Sequence, residues 1–246
     1  ATQPALTKTH LPGGLDSVRE LAPEPSELFR RLDRVRVRHV GELSDETLSD
    51  QLRALEQVLC IVNNRRHARA LYEAMADLPG ARHLTTLMCA KHRSQVLAEV
   101  RARLTCGKPC RLVSTSLIEA GVDISLPIVY RAEAGLDSIA QAARCNRNGE
   151  WATEDSEVRV FTTASEDWAP PPELRQFAQA AREVLRQPQY RDDPLAPPAI
   201  EAYFRQLYWQ KGDRELDSND LLGLCAASRF DCLPLETLAV KFRMID

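Results

Sequence analysis

The chain has 246 residues, of which 44% are hydrophobic and 27% are charged, the composition of an ordinary folded protein with a core of normal size. The net charge of -3 excludes a protein that coats nucleic acid through overall basicity, although a local basic patch can still bind phosphates. The longest apolar runs, such as residues 58–62, are too short to span a membrane, and residues 1–10 lack the pattern of a signal peptide.

The seven cysteines are scattered and do not follow the spacing of a zinc site. Cys106 and Cys110 lie four residues apart, with no second pair or histidine close by in the sequence. We therefore expect reduced thiols in a cytoplasmic protein and no structural metal.

Residues 1–25 are rich in proline and glycine and are predicted to be a connecting segment. A short helix is predicted at 26–34, and buried strands then alternate with amphipathic helices up to residue 165. The predicted strands are 35–40, 58–63, 84–88, 111–116, 128–130 and 158–163, and the predicted helices are 44–55, 66–78, 92–104 and 137–146. Ser44 is the expected N-cap of the helix at 44–55, and Gly80 is expected just past the end of the helix at 66–78.

This alternation predicts an α/β domain over residues 26–165, with a parallel sheet and helices on both faces. The composition shifts after residue 165, where proline clusters precede predicted helices at 173–186, from 198, at 217–227 and at 235–244. Residues 166–246 are therefore predicted to form an α-helical linker or appendage. In parallel sheets, ligands bind at the carboxyl ends of the strands, which is where the chemistry should lie.

Several sequence motifs that catalysis would require are absent from the chain. It has no G-x-x-x-x-G-K-S/T phosphate loop, no D-E-x-H/D box and no His-Asp pair of a phosphohydrolase-type nuclease. The chain alone therefore lacks a complete site for hydrolysis of a nucleotide or cleavage of DNA.

Four polar segments stand at or just after the predicted strand ends: "VLCIVNNRRHA" from residue 58, "MCAKHR" from 88, "LVSTSLIEAGVDI" from 112 and "DSIAQAARCNR" from 137. Taken singly, each has an ordinary interpretation as a helix cap, a solvated helix start, a turn or an exposed basic face. Together they suit a nucleotide between two lobes: arginines on a helix can contact its terminal phosphates, and Asp123 after a glycine turn can accept a ribose hydroxyl. The hydroxyls of residues 114–116 suit nucleic-acid phosphates.

The last two segments resemble motifs V and VI of superfamily 2 helicases. Ser114, Thr115, Gly121 and Asp123 are similar to motif V, and the helix from residue 137 is similar to the Q-x-x-G-R-x-x-R of motif VI. The phrases "IEAGVD" and "DSIAQAARCNR" resemble more closely the helicase–nuclease of type I CRISPR systems. The segments from residues 58 and 88 are similar to that family's motif IV region and the motif that follows it.

The resemblance implies a RecA-like second motor lobe, covering nearly the whole chain and cut from a longer protein. It implies an ATP- and Mg²⁺-dependent 3′ to 5′ motor on single-stranded DNA, recruited by the CRISPR RNA-guided surveillance complex to degrade foreign DNA. The phosphate loop, most of the magnesium site and the nuclease would belong to the first RecA-like lobe and a nuclease domain outside this chain.

The resemblance also implies residue roles within this lobe. Arg144 and Arg147 would contact the terminal phosphates, and Gln141 would orient the attacking water or the γ-phosphate. Gly121 and Asp123 would line the ribose side of the nucleotide. The DNA backbone would be contacted by Asn63, Arg93, Ser114 and Thr115.

One departure from the family pattern affects motif VI. The glycine expected between Ala143 and Arg144 is absent, so Gln141 and Arg144 are three residues apart instead of four. On an α-helix this loss rotates everything after it by about 100° relative to Gln141. Two alternatives stay open: the lobe of another superfamily 2 DNA or RNA helicase, and a catalytically degenerate nucleic-acid-binding module, which the missing glycine favours.

Overall fold

A computed structural model describes residue 19 and residues 21–119, 122–146, 151–228 and 232–242. The strands of this part are β1 (Arg36–Leu43), β2 (Gln57–Ile61), β3 (Ala81–Leu84), β4 (Cys110–Ser114), β5 (Ile128–Ala132) and β6 (Glu157–Thr163). Its α-helices are α1 (Pro25–Leu32), α2 (Asp45–Ala54), α3 (Arg65–Glu73), α4 (Ala90–Thr105), α5 (Leu136–Ala142), α6 (Pro172–Leu185), α7 (Pro197–Leu216), α8 (Leu221–Ala227) and α9 (Leu235–Lys241).

The six strands form one sheet in the order β1-β6-β5-β2-β4-β3, and every neighbouring pair is parallel. Parallel neighbours need crossover connections, which the helices between the strands provide. The predicted α/β architecture, with a parallel sheet and helices on both faces, is therefore confirmed.

Helix starts follow local capping chemistry. The Ser44 hydroxyl accepts a hydrogen bond from the Thr47 amide at 3.1 Å and so starts α2 as predicted. The Asn64 side chain accepts from the Arg66 amide at 2.8 Å and starts α3 directly after β2. Because both caps follow strands, they determine where the chain leaves the carboxyl edge of the sheet.

A continuous apolar cluster fills the space between α2, α3 and one face of the sheet. Its members are Leu43, Leu48, Leu52, Val58, Cys60, Val62, Ala68, Leu71, Met75, Ala81, Val113, Tyr130, Ala132 and Phe161. On the same strands, residues of the other parity, such as Leu59, Leu112 and Val129, are also buried, so the central strands are covered on both sides.

Two predicted boundaries in the middle of the chain were wrong. The strand predicted at 84–88 lies earlier, at β3, because the chain turns after Leu84, where the Met88 amide bonds to the Thr85 carbonyl at 3.2 Å. The helix predicted to reach residue 78 ends at Glu73, and successive turns then lead to Gly80, which has a φ of 78°. These turns make room for a short strand at the edge of the sheet.

The described residues divide into two compact units, one within 22–203 and one formed by 19, 21, 204–228 and 232–242, so the division falls inside α7. In the first unit, α6 joins the sheet through an ion pair between Arg182 and Glu133. In the second, the Asp217 carboxylate accepts the Leu221 and Leu222 amides at 2.7 and 2.8 Å and starts α8. The division at residue 165 stays a prediction.

Candidate functional site

The carboxyl edge of the sheet carries one row of residues at matching register. Across the strands the row contains Leu84, Ser114, Ile61, Arg131, Val160 and His39. Side chains of one row in a parallel sheet lie on the same face, so the polar groups of Ser114 and Arg131 flank Ile61 on that face. The predicted edge residues Asn63 and Thr115 follow directly after β2 and β4, and the fold brings them to neighbouring strand ends.

Ser114 and Thr115 are both buried. The Ser114 hydroxyl donates towards the Leu84 carbonyl at 3.0 Å and lies 2.9 Å from the Thr115 carbonyl. The Thr115 amide donates to the Leu84 carbonyl at 3.3 Å. These polar groups therefore hold β4 to β3 in the structure, and their predicted contacts with DNA stay predictions.

Arg131 is a charged side chain inside the sheet and is only 1% exposed. Its Nη1 donates to the Asn63 Oδ1 at 2.8 Å and to the Ala132 carbonyl at 2.9 Å. Its Nε lies 2.8 Å from the Glu119 Oε1, a contact of opposite charges without the angle of a hydrogen bond. One guanidinium thus joins the end of β2, the end of β5 and the loop after β4.

Burial acts against both charges of this pair. It raises the pKa of Glu119 and lowers the pKa of Arg131, while the attraction between the two groups opposes both shifts. Hydrogen bonding from Ser138 also favours the charged carboxylate of Glu119. The pair is therefore costly to desolvate and depends on its geometry to remain charged.

Both ends of the Asn63 side chain have partners within the lobe. Its Oδ1 accepts from Arg131, and its Nδ2 donates to the Glu133 carbonyl at 2.7 Å. The amide thus connects the end of β2 to the end of β5. A contact of Asn63 with DNA stays a prediction.

The predicted ribose residues lie in the loop between β4 and β5. Gly121 lies outside the described residues, and Asp123 is exposed. The Asp123 carbonyl accepts from the Arg101 Nε of α4 at 3.3 Å, which ties this part of the loop to the neighbouring helix. The loop is thus anchored on one side by Glu119 and on the other by Asp123.

The motif VI segment is not one continuous α-helix. Gln141 is exposed near the end of α5, and a 3-10 helix over Ala143–Asn146 replaces the α-helix that was predicted to continue to residue 146. Arg144 belongs to this 3-10 turn, but its side chain and the whole of Arg147 lie outside the described residues.

The motif VI segment is held at both of its ends. At its start, the buried Tyr203 hydroxyl donates to the Asp137 Oδ1 at 3.0 Å. At its end, the Asn146 Nδ2 donates to the Arg34 carbonyl at 3.1 Å and to the Trp151 carbonyl at 2.8 Å. Asn146 is 1% exposed, and its buried side chain links the segment to the residues before β1 through these hydrogen bonds.

Arg93 lies in the first turn of α4 and is half-buried. Lys91 and His92, beside it in the predicted segment, are exposed. The start of α4 follows β3, so it lies on the side of the sheet where Asn63 and Thr115 follow β2 and β4. The position suits a phosphate contact, which stays a prediction.

Sequence reasoning missed the buried ionic groups. Glu119 lies inside the segment that resembles motif V but has no predicted role, and Arg131 and Glu133 lie just after the strand predicted at 128–130, also without a predicted role. The signal that could have identified them is the placement of two charged residues in a sequence, "IVYRAEAG", whose neighbours predict a buried strand. A buried charge requires a partner, but the sequence does not say which one.

Within the described residues, no three His, Cys, Asp or Glu side chains are grouped so as to hold a metal ion. In the same part of the chain, no helix is long and apolar enough to cross a membrane. The donors at the edge are amides, hydroxyls and guanidinium groups, which suit anionic groups better than a cation.

The parallel sheet, its strand order and the polar carboxyl edge define a RecA-like α/β lobe. The fold agrees with solved structures: "T. fusca Cas3-ATP" superposes with a TM-score of 0.56 at 16% identity, over 86% of this chain and 27% of that chain. A chain of "CRISPR RNA-guided surveillance complex, pre-nicking" gives a TM-score of 0.55 at 18% identity, over 85% of this chain and 28% of that chain.

Sequence comparison finds similarity to one family. The family model described as CRISPR-associated nuclease/helicase Cas3, C-terminal, matches residues 54–150. The CRISPR-associated nuclease/helicase Cas3 of Haloferax volcanii is 34% identical over 143 residues, which are 53% of this chain and 15% of that protein. The Cas3 of Methanothermobacter thermautotrophicus is 30% identical over 141 residues, 51% of this chain and 17% of that protein.

The resemblance predicted from the motifs is confirmed: residues 54–150 match the Cas3 C-terminal family model, and both of these curated relatives are Cas3 proteins. The matched segment includes β2 to α5, and with them the four polar segments. The chain spans less than a fifth of the length of these two curated relatives.

Proposed function

We propose that this chain is the C-terminal motor lobe of an ATP-dependent 3′ to 5′ single-stranded DNA helicase or translocase. Together with a nuclease domain, the motor would degrade foreign DNA in CRISPR interference. The observation that carries the proposal is the coincidence of motifs V and VI with the carboxyl edge of a RecA-like sheet, inside the segment that matches Cas3.

The nucleotide would lie between this lobe and the preceding one. Gln141, Arg144 and Arg147 would contact the terminal phosphates, and Gly121 and Asp123 would line the ribose side. ATP supplies the phosphoryl group that is transferred to water, and the arginines of this lobe would stabilise the charge that develops on it. Mg²⁺ would be held mainly by the preceding lobe. A solved relative with a similar fold is named as a complex with ATP, which supports the choice of nucleotide.

The DNA strand would follow the carboxyl edge past the ends of β2, β3 and β4. Arg93 would contact a phosphate from the start of α4, and Asn63, Ser114 and Thr115 would lie beneath the strand. Because the hydroxyl of Ser114 and the amide of Asn63 have internal partners, their contribution would be mainly the shape of the edge.

The proposed partners are single-stranded DNA, the preceding RecA-like lobe, the nuclease domain and the CRISPR RNA-guided surveillance complex, in the cytoplasm. Support for the last partner comes from the similar fold of a chain in a solved surveillance complex.

ATP hydrolysis tests the proposal. This chain alone should not hydrolyse ATP, whereas a protein that also carries the preceding lobe should do so and should be stimulated by single-stranded DNA. Substitution Arg147→Ala or Arg144→Ala should lower the stimulated rate by about a thousandfold, the scale of an arginine finger. Arg69→Ala is a matched control, because Arg69 is exposed on α3 and pairs only with Glu73 among the described residues.

The missing motif VI glycine favours a second candidate, a degenerate lobe that binds nucleic acid without turnover. Under that alternative, the two-lobe protein would bind single-stranded DNA but would not hydrolyse ATP. A preference for RNA over DNA in the same binding measurement would instead support the lobe of another superfamily 2 helicase.

A further inference from the structure

We propose that Arg131 is a positioning residue that fixes the motif V loop to the end of β2, so that the DNA side and the nucleotide side of the lobe move together. The inference rests on the proposed function for its consequence, but the contact itself is a property of this chain. Neither the guanidinium nor its carboxylate partner touches solvent to any large extent.

The position of Glu119 in the loop explains why its ion pair with Arg131 can affect both proposed binding regions. Glu119 lies four residues after Thr115 and four residues before Asp123, midway between the predicted DNA contact and the predicted ribose contact. An ion pair at that point fixes Glu119 relative to β5. Arg131 carries the restraint to Asn63, and through Asn63 to the Glu133 carbonyl at the end of β5.

The backbone hydrogen bonds of the described residues next to Glu119 are local. The Ile118 amide bonds to the Thr115 carbonyl at 3.2 Å, and the Glu119 amide bonds to the Ser116 carbonyl at 3.0 Å, within a single 3-10 turn. The hydrogen bonds of a 3-10 turn have poorer geometry than those of an α-helix, so side-chain contacts matter more for its position. Ile118 and Glu119 provide such contacts, one through apolar burial and the other through Arg131.

Stability alone does not require an ion pair at this position. A buried pair costs desolvation energy that its attraction offsets only in part, and apolar side chains of similar volume usually serve as well or better. What the planar guanidinium adds is direction, since it reaches an amide oxygen, a carbonyl and a carboxylate at once. A lysine ammonium at the same place lacks the planar fork of five donors that fixes these directions.

Substitutions can separate the role of Arg131 in positioning the loop from its effect on the stability of the fold. Arg131→Met leaves the Glu119 charge buried and unpaired, so the chain should unfold at a lower temperature. The double variant Arg131→Met with Glu119→Met removes both charges and should return the unfolding temperature to near that of the unsubstituted chain. Arg159→Met is a matched control, because Arg159 is also a strand arginine paired with a glutamate, at β6.

Hydrogen exchange on this chain measures how firmly the motif V loop is held in place. In the double variant, we expect the backbone amides at positions 118 and 119 to exchange at least about tenfold faster than in the parent, with the amides of α2 unchanged. In Arg131→Lys, the exchange rates of these loop amides should lie between those of the parent and those of the double variant. The Arg159→Met control should leave these rates unchanged. If the loop amides of the stable double variant stay as protected as before, Arg131 is structural only and the inference is overturned.

The consequence is measured in the two-lobe protein. The double variant should lose at least about tenfold of the DNA stimulation of ATP hydrolysis, although it remains as stable as the parent. Full stimulation in that variant would overturn the coupling. If the parent shows no stimulated hydrolysis while the loop amides respond as expected, the proposed function fails and the positioning role stands.

Discussion

Glu133 offers the sharpest test of how charge supports this fold. Its carboxylate is 7% exposed at the exit of β5 and accepts hydrogen bonds from the His39 Nε2 at 3.3 Å and from the Arg182 Nε at 3.1 Å. A second nitrogen of Arg182 and the Thr162 hydroxyl complete the set. The group therefore connects β5 to β1, β6 and α6.

These contacts set the size of the expected effect. Burial opposes the charged form, but the hydrogen bonds from His39, Arg182 and Thr162 outweigh it and lower the pKa of Glu133 from 4.5 to about 2. Each unit of pKa corresponds to about 1.4 kcal/mol, so the charged carboxylate contributes about 3 kcal/mol of folding stability at neutral pH. Glu133→Gln should remove about that amount, since glutamine keeps the shape and loses the charge.

The pH dependence has a definite sign. Because the pKa is lower in the folded chain than in the unfolded chain, the folded state binds fewer protons between pH 4.5 and about 2. The contribution is fully present above pH 4.5 and is lost as the pH falls towards 2. The difference in stability between the parent and Glu133→Gln should therefore be constant near neutral pH and should shrink in acid.

Urea unfolding at a series of pH values measures this difference. Glu99→Gln is a suitable control, because Glu99 pairs with Arg82 on the surface and both side chains are more than a third exposed. A Glu133→Gln variant as stable as the parent at neutral pH, or a difference that stays constant at pH about 3, would refute the reasoning.

Two further changes test the backbone. Gly80→Ala should destabilise the fold by about 3 kcal/mol or more, because φ is 78° and the new Cβ would lie 2.0 Å from the Pro109 carbonyl oxygen, whereas Gly107→Ala, at φ 62° in open space, should cost only about 1 kcal/mol. Chemical denaturation of the two variants checks this, and equal losses would contradict the steric argument. Ser44→Ala should cost about 1 kcal/mol through the lost cap on the Thr47 amide, seen in the same assay, and no loss would show that the cap is dispensable.

The architecture was predictable because it depends on local patterns. Buried strands and amphipathic helices differ in period, and each helix start carries its own cap, as Ser44 does for α2. The position of β3 was predicted wrongly for two reasons. Its residues Arg82 and His83 are polar, which is not typical of a buried strand, whereas the apolar and β-branched residues after Leu84 are typical of one. Edge strands are covered on fewer sides, so their sequences are less apolar.

The candidate site was predictable only in part, for a physical reason. Motif letters indicate which segments meet at the carboxyl edge, because parallel strands end at one edge. They do not indicate which polar groups are used internally, as for Asn63 and Ser114, since the partners lie on other strands, distant in sequence. The pairing of Arg131 with Glu119 depends on the strand order, which the periodicity of a single sequence does not contain.

The structure also changes how the missing glycine of motif VI should be understood. A rotation of about 100° would follow if Gln141 and Arg144 belonged to one continuous α-helix. The backbone instead passes into a 3-10 turn at Ala143, where each residue advances by about 120° and rises further along the axis. Tyr203 holds the start of the segment and Asn146 holds its end, so the rotation worked out for one continuous α-helix does not apply to this segment. The path of the chain on either side of Arg144 is thus set by buried contacts rather than by the length of the helix.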